Sequence, residues 1–309
     1  MLEKMKSSKL VMSLGALFCC AVWGGSTPVV KMGYAYTDPT HVPSLLLWAG
    51  IQFLIAGVLT IVIYSAFSKR FVYPKKQSIG GVCLVSLLQT VLQYSLLYIG
   101  LLNTTAVKGA ILKSTDVFFV ALIASFLFRM EKMTIRKLAA CLIGFAGIVV
   151  MNLDGLSLSF NLLGDGLVLL GIFFYSFSVV MTKRFTQEED PFVLTGYQML
   201  LGGLVMMLIG IAFNGKMDFA GMLPIILVLS VLYAVSYSLW TVLLKNHPAS
   251  SVTIHSFTMP IFGVIISALL LNEEGGVALP NLVIALALVC AGIILWGLQG
   301  KKKVAEQIK

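Results

Sequence analysis

Between Lys9 and Lys301 the chain is a train of apolar blocks, each roughly 20 residues long, with its charges confined almost wholly to the short gaps between them. A helix rises about 1.5 Å per residue, so one block matches about 30 Å of hydrocarbon. Within a bilayer the backbone satisfies its own polar groups only as a helix or a closed barrel. The two-residue alternation of a barrel strand is missing, so the blocks read as helices. Composition agrees: 59% of the residues are hydrophobic and 11% charged, where a soluble domain carries about 25% charged residues. The fold class is all-α integral membrane.

Hydropathy and turn residues place ten spans near 10–32, 43–65, 79–101, 106–128, 136–153, 163–183, 192–213, 223–244, 249–271 and 278–298. The basic residues set their direction. Eighteen lie on one side: Lys4, Lys6 and Lys9, those of the 69–76 and 129–137 loops, Lys183, Arg184, Lys245, and the four after residue 300. The other side holds Lys31, Lys108 and Lys216. The positive-inside rule then puts both termini in the cytoplasm of a multi-pass cell (inner) membrane protein. The net charge of +9 is a topology signal, so no nucleic-acid partner is expected. The lysines ahead of the first block imitate a signal peptide, but the block is too long and shows no clear cleavage site; it reads as the first span.

Cys19, Cys20, Cys83, Cys141 and Cys290 all fall in apolar blocks without metal-ligand or redox spacing, and read as small hydrophobes. Ser/His/Asp sets and phosphate loops are also missing, so no catalytic residue, cofactor or metal is expected and the chain does not read as an enzyme. Asp165 is expected to cap the sixth helix, where an acid suits the helix dipole.

The chain is also written twice. Tyr94-Ser95-Leu96 recurs in the second half as Tyr237-Ser238-Leu239, and the same offset carries Asn103, Thr115, Phe119 and Glu131 onto Asn246, Thr258, Phe262 and Glu274. Lys31 and Asp38-Pro39 are echoed by Lys183 and Asp190-Pro191, and Gln52 and Gly57 by Gln198 and Gly203. The implied units are residues 1–153 and 154–300, followed by a basic cytoplasmic tail over 301–309. Five spans per unit is an odd number, so the second copy would lie upside down relative to the first. Such inverted repeats place a substrate near the membrane midplane, where the halves meet.

With this doubling, the segment Trp23-Gly24-Gly25-Ser26-Thr27-Pro28 in the first span, Pro260 in the ninth, and Glu131 and Glu274 after the fourth and ninth spans, the chain resembles the drug/metabolite transporter superfamily, in its ten-helix EamA branch. Val117, where the first half would carry the mate of Pro260, departs from the pattern. The resemblance implies an exporter or exchanger of small metabolites with a central cavity among the first, third, fourth, sixth, eighth and ninth helices.

Polar residues at membrane depth mark the candidate site. Lys113 and Asp116 lie near the middle of the fourth span, and a charge there costs about 2.5–3.5 kcal/mol on insertion scales. Three residues apart, they are expected on one helical face. Lys113 would receive a carboxylate or phosphate, and Asp116 an ammonium or a coupling proton; the alternative is a self-neutralised structural pair. Their mates, Ser256 and Met259, are uncharged. His255 is a candidate proton relay or a satisfied interior histidine. Gln93, Tyr94, Tyr237 and Trp240 would line the cavity or glue helices, with Tyr98 and Trp240 near span ends as possible belt residues. Trp23 opens a Gly-Pro segment that reads either as a break in the first helix or as a close-packing surface. These readings converge on a secondary transporter of a small polar metabolite, an amino acid or amine, with protons as candidate coupling ion. A lipid-flipping or structural membrane protein is the alternative.

Overall fold

A computed structural model describes residues 8–153, 159–271 and 277–306. Among these the chain is helical, its β structure limited to one isolated bridge between Thr37 and Met217. The helices are α1 (Lys9–Gly33), α2 (Val42–Phe67), α3 (Lys76–Leu102), α4 (Ala106–Lys113, then Asp116–Leu122 and a wide turn Ile123–Leu127) and α5 (Ile135–Met151). They continue as α6 (Leu162–Phe185), α7 (Pro191–Ala212), α8 (Phe219–Asn246), α9 (Ala249–Thr253, a tight 3-10 stretch Ile254–Thr258, then Met259–Leu271) and α10 (Leu279–Glu306). Every expected span falls on one of them. Among the described residues nine are long and apolar enough to cross a membrane; α5 has 17 residues. Large apolar side chains such as Val62, Leu208 and Ile294 stand exposed on the outer faces, as lipid rather than water requires. The protein is a multi-pass membrane protein.

Local chemistry sets the helix ends. Asp190 accepts the Phe192 amide at 2.8 Å ahead of Pro191 in the first turn of α7, satisfying an amide that has no helical acceptor. Asp218 does the same for Ala220 at the start of α8. At the other end α2 and α7 both stop on a left-handed residue, Lys69 (φ 52°) and Asn214 (φ 58°).

Packing is tightest where glycines remove side chains. A Cβ on Gly57 of α2 would lie 2.5 Å from the Leu200 nitrogen and 2.7 Å from the Gly196 oxygen of α7. A Cβ on Gly203 of α7 would lie 2.4 Å from the Leu54 nitrogen and 2.7 Å from the Gly50 oxygen of α2. A single shift along the sequence carries Gly50, Leu54 and Gly57 onto Gly196, Leu200 and Gly203, so the contact is reciprocal, as in an isologous interface. The α5–α10 contact repeats this, with Gly147 approaching the Ala285 oxygen and Gly292 the Ala140 oxygen. Here too one shift carries Ala140 and Gly147 onto Ala285 and Gly292. Hydrophobic burial gives little drive between helices in lipid, so backbone approach of this kind supplies the dispersion contact that holds them.

The first helix favours the second of its two readings, the close-packing surface. Through Trp23-Gly24-Gly25-Ser26-Thr27-Pro28 it runs on without interruption from Lys9 to Gly33. Gly24 is needed for packing instead: a Cβ there would lie 2.3 Å from the Met259 oxygen. The breaks fall in α4 and α9, at one repeat register: the second segment of α4 starts at Asp116 and that of α9 at its repeat mate, Met259. In both, a threonine hydroxyl just ahead takes a backbone carbonyl, Thr115 that of Leu112 at 2.6 Å and Thr258 that of His255 at 2.7 Å, competing with the helical ladder. Pro260 cannot donate and is tolerated in the first turn of the new segment.

The cysteines divide. Cys19, Cys20 and Cys141 are buried as expected, whereas Cys83 and Cys290 are exposed on the outer surface.

Candidate functional site

The break in α4 separates the two charges that a continuous helix would have placed on one face. Lys113 is the last residue of the first segment and Asp116 opens the second. Lys113 lies deep in the bundle, yet its side chain is exposed, the combination that an open cavity produces. It has no hydrogen-bond or ionic partner among the described residues. Asp116 is 3% exposed, its Oδ1 accepting the amide of Val117 at 2.8 Å. No salt bridge joins the two among the described residues, as the alternative reading of a self-neutralised pair would require. The Ser256 hydroxyl faces the Asp116 carboxylate without closing a hydrogen bond to it. Since Ser256 is the repeat mate of Lys113, the breaks in α4 and α9 cross at this point.

An aromatic floor adjoins the crossing. The hydroxyls of Tyr94 and Tyr237, repeat mates on α3 and α8, are 2.9 Å apart. The Trp23 ring lies 5.0 Å from that of Tyr237 and 4.9 Å from that of Trp240. Trp240 is 1% exposed, so it is an interior residue and not part of an interfacial belt. Tyr233 hydrogen-bonds Ser26 at 3.2 Å. Phe53 of α2, which sequence reading passed over, touches Tyr94, Tyr233 and Tyr237 with centroids 4.8, 5.7 and 6.2 Å away. It stands in a span whose apolar residues show no helical period to pick out its inner face.

Several polar atoms around this floor are buried without partners: the indole nitrogens of Trp23 and Trp240, Gln93 Oε1, Ser256 Oγ and His255 Nε2. A buried unpaired polar group costs about 1–3 kcal/mol, so a cluster of them suits groups held ready for a ligand or water. His255 is 1% exposed and its Nδ1 lies 3.1 Å from the Val252 oxygen. That carbonyl can only accept, so Nδ1 donates and Nε2 is the ring nitrogen left for another partner.

Three further polar groups have structural positions. Asn161 caps α6, its Oδ1 accepting the Leu163 amide at 3.0 Å, so the cap expected of Asp165 belongs to Asn161. Asp165 instead pairs with Lys108 at 2.9 Å and takes the Thr104 hydroxyl, tying α6 to the start of α4. Glu131 pairs with Lys137 at 3.1 Å and reaches Ser250 at the start of α9; its mate Glu274 lies outside the described residues. A surface cleft of about 420 Å³ lined by Tyr36, Asp38, His41 and Lys216 contains none of the candidate residues.

Known proteins place this arrangement. Residues 10–153 and 162–298 match the EamA-like transporter family. An uncharacterized transporter of Bacillus subtilis, YvbV, is 26% identical over 94% of this chain and 93% of its own length. An uncharacterized transporter of Archaeoglobus fulgidus is 26% identical over 82% of this chain and 86% of its own. A chloroplastic WAT1-related protein of Arabidopsis thaliana is 26% identical over 81% and 61%. In three dimensions a protein known by its crystal structure superposes with TM-score 0.74 at 15% identity, covering 93% of this chain and 98% of that one, a likeness of fold. A family match over nearly the whole chain, on a bundle with unpaired polar groups in its interior, makes this membrane transporter a member of the EamA-like family, within the drug/metabolite transporter superfamily.

Proposed function

We propose that the protein is a secondary transporter that exports or exchanges a small polar metabolite, an amino acid or an amine, across the cell membrane. Its scaffold is two inverted five-helix repeats with both termini in the cytoplasm and α5 as a tenth span. The reciprocal glycine contacts of α2 with α7 and of α5 with α10 support the inverted pairing, as does the hydrogen bond joining the repeat mates Tyr94 and Tyr237. One observation carries the substrate reading: an exposed Lys113, with no hydrogen-bond or salt-bridge partner among the described residues, and a buried Asp116 flank a helix break deep in the bundle. Uncompensated charge at that depth is costly, and discontinuous helices form the ion and substrate sites of repeat transporters. Lys113 receives the substrate carboxylate; Asp116 takes an ammonium or carries the coupling proton. Trp23, Gln93, Tyr94, Tyr237, Trp240 and His255 line the path.

Thermal stabilisation of the purified protein across a metabolite panel tests this, with Lys113→Ala and Asp116→Asn in parallel. A carboxylate ligand should lose its stabilising shift in Lys113→Ala. Unchanged shifts in both variants remove the pair from the site. Uptake into liposomes with and without a pH gradient tests coupling, and no gradient dependence excludes Asp116 as a proton carrier.

A further inference from the structure

The repeat register makes the two ends of the α4–α9 crossing directly comparable, and they differ. The first segment of α9, Ala249–Thr253, packs on the second segment of α4 and also against α1, α6 and α8. Its mate, the first segment of α4, packs on α5 and α6, with no packing of similar extent among the described residues against the second segment of α9, α1 or α3. Among the described residues the crossing is thus packed more tightly on the side carrying the basic loops, and Lys113 is exposed on the other.

The tighter end also carries bonds that its counterpart cannot make. Glu131, just beyond the end of α4, accepts the Ser250 amide at 3.2 Å and the Ser250 hydroxyl. Lys137 of α5 lies 3.1 Å from the same carboxylate and 3.3 Å from Ser250 Oγ. Trp296 of α10 places its ring 5.0 Å from the Lys137 ammonium and donates to Ser251 at 3.0 Å. The register that carries Tyr94 onto Tyr237 gives Glu274 for Glu131 but Val107 for Ser250, and the register that carries Ala140 onto Ala285 gives Leu282 for Lys137. At the mated positions the sequence thus keeps the acid but offers neither the hydroxyl nor the ammonium.

We propose that Glu131, Ser250 and Lys137 form a one-sided latch that holds the empty transporter closed to the cytoplasm and open outward. This rests on the inverted-repeat reading above. Releasing the Glu131–Ser250 contact frees the first segment of α9 from α4, and the mating motion docks the first segment of α4 onto α9. The equilibrium between the two states is set by chemistry that only one end possesses.

The test needs no substrate, so a failed ligand screen leaves it intact. Lys113→Cys reports the outer opening and Val252→Cys, fully buried in the seal, the inner one. Each is placed in a background with Cys83 and Cys290 replaced by serine, and a membrane-impermeant maleimide is applied to cells and to inside-out vesicles. A hydrogen bond to a charged group changes an equilibrium constant on the order of tenfold. Glu131→Gln should therefore raise the ratio of Val252→Cys to Lys113→Cys labelling about tenfold, and Glu131→Asp should restore part of it. Ser250→Ala, which removes one hydroxyl, should raise it less and keeps the test open if Glu131→Gln does not fold. An unchanged ratio in folded variants overturns the latch. Lys76→Cys labelled from outside would instead overturn the assigned orientation, with the ratio still reading the latch.

Discussion

Substituting Gly57 by alanine adds one methyl group where α2 and α7 cross, and the cost follows from the distances. The new Cβ would stand 2.5 Å from the Leu200 nitrogen, against 3.4 Å for ordinary contact, so the helices would have to part by about 0.9 Å. The obstruction is backbone, which cannot rotate away. Alanine favours helix over glycine by about 0.5–1 kcal/mol, while overpacking a filled contact costs about 1–3 kcal/mol. The clash wins, and Gly57→Ala should lose about 1–2 kcal/mol net. Because the contact is reciprocal, Gly203→Ala should lose a similar amount. The double variant should cost less than the sum, since one parting relieves both clashes. Gly80→Ala, with no atom within 4 Å of the new Cβ, is the control and should be neutral or slightly stabilised. Unfolding in detergent micelles, followed by tryptophan fluorescence against denaturant, gives these differences. A Gly57→Ala variant as stable as Gly80→Ala, or strict additivity in the double variant, would refute the reciprocal crossing.

Other consequences are equally direct. Tyr94→Phe and Tyr237→Phe each leave one buried hydroxyl unpaired and should cost about 1–2 kcal/mol, with the double variant costing less than the sum; additivity within about 0.3 kcal/mol would deny the bond. Lys108→Met takes the ammonium from the Asp165 carboxylate, which keeps the Thr104 hydroxyl and the Asn161 amide, and should destabilise by about 1–2 kcal/mol, whereas pairing the change with Asp165→Leu should recover part of it; thermal unfolding of the three proteins decides. Ser256→Ala removes a hydroxyl that has no partner, so stability should change by less than about 0.5 kcal/mol while ligand-induced stabilisation falls.

How much of this was legible beforehand depended on what each feature rests on. Span placement follows from block length against bilayer thickness, and every expected block became a helix because a backbone in lipid has no other local solution. The doubled pattern is a property of the letters, and it let Tyr94 be matched to Tyr237 before either was seen to touch the other. Helix continuity was less readable. Glycine and proline in α1 suggested a break, but Gly24 serves close packing against α9, and the breaks went to stretches where Ser and Thr hydroxyls compete for carbonyls. Phe53 was invisible because the apolar residues of its span carry no period from which to read its inner face.

By itself the sequence determined the medium, the helices and the expensive residues, since these depend on local hydropathy and on spacing along the chain. Only the tertiary structure decided which polar groups meet. Lys113 and Asp116, neighbours in sequence, do not pair, because the chain breaks between them. Glu131 and Ser250, 119 residues apart, do, because the crossing of α4 and α9 brings one carboxylate to one amide. A short-range hydrogen bond is set by where helices cross in space, and spacing along the chain does not encode that crossing.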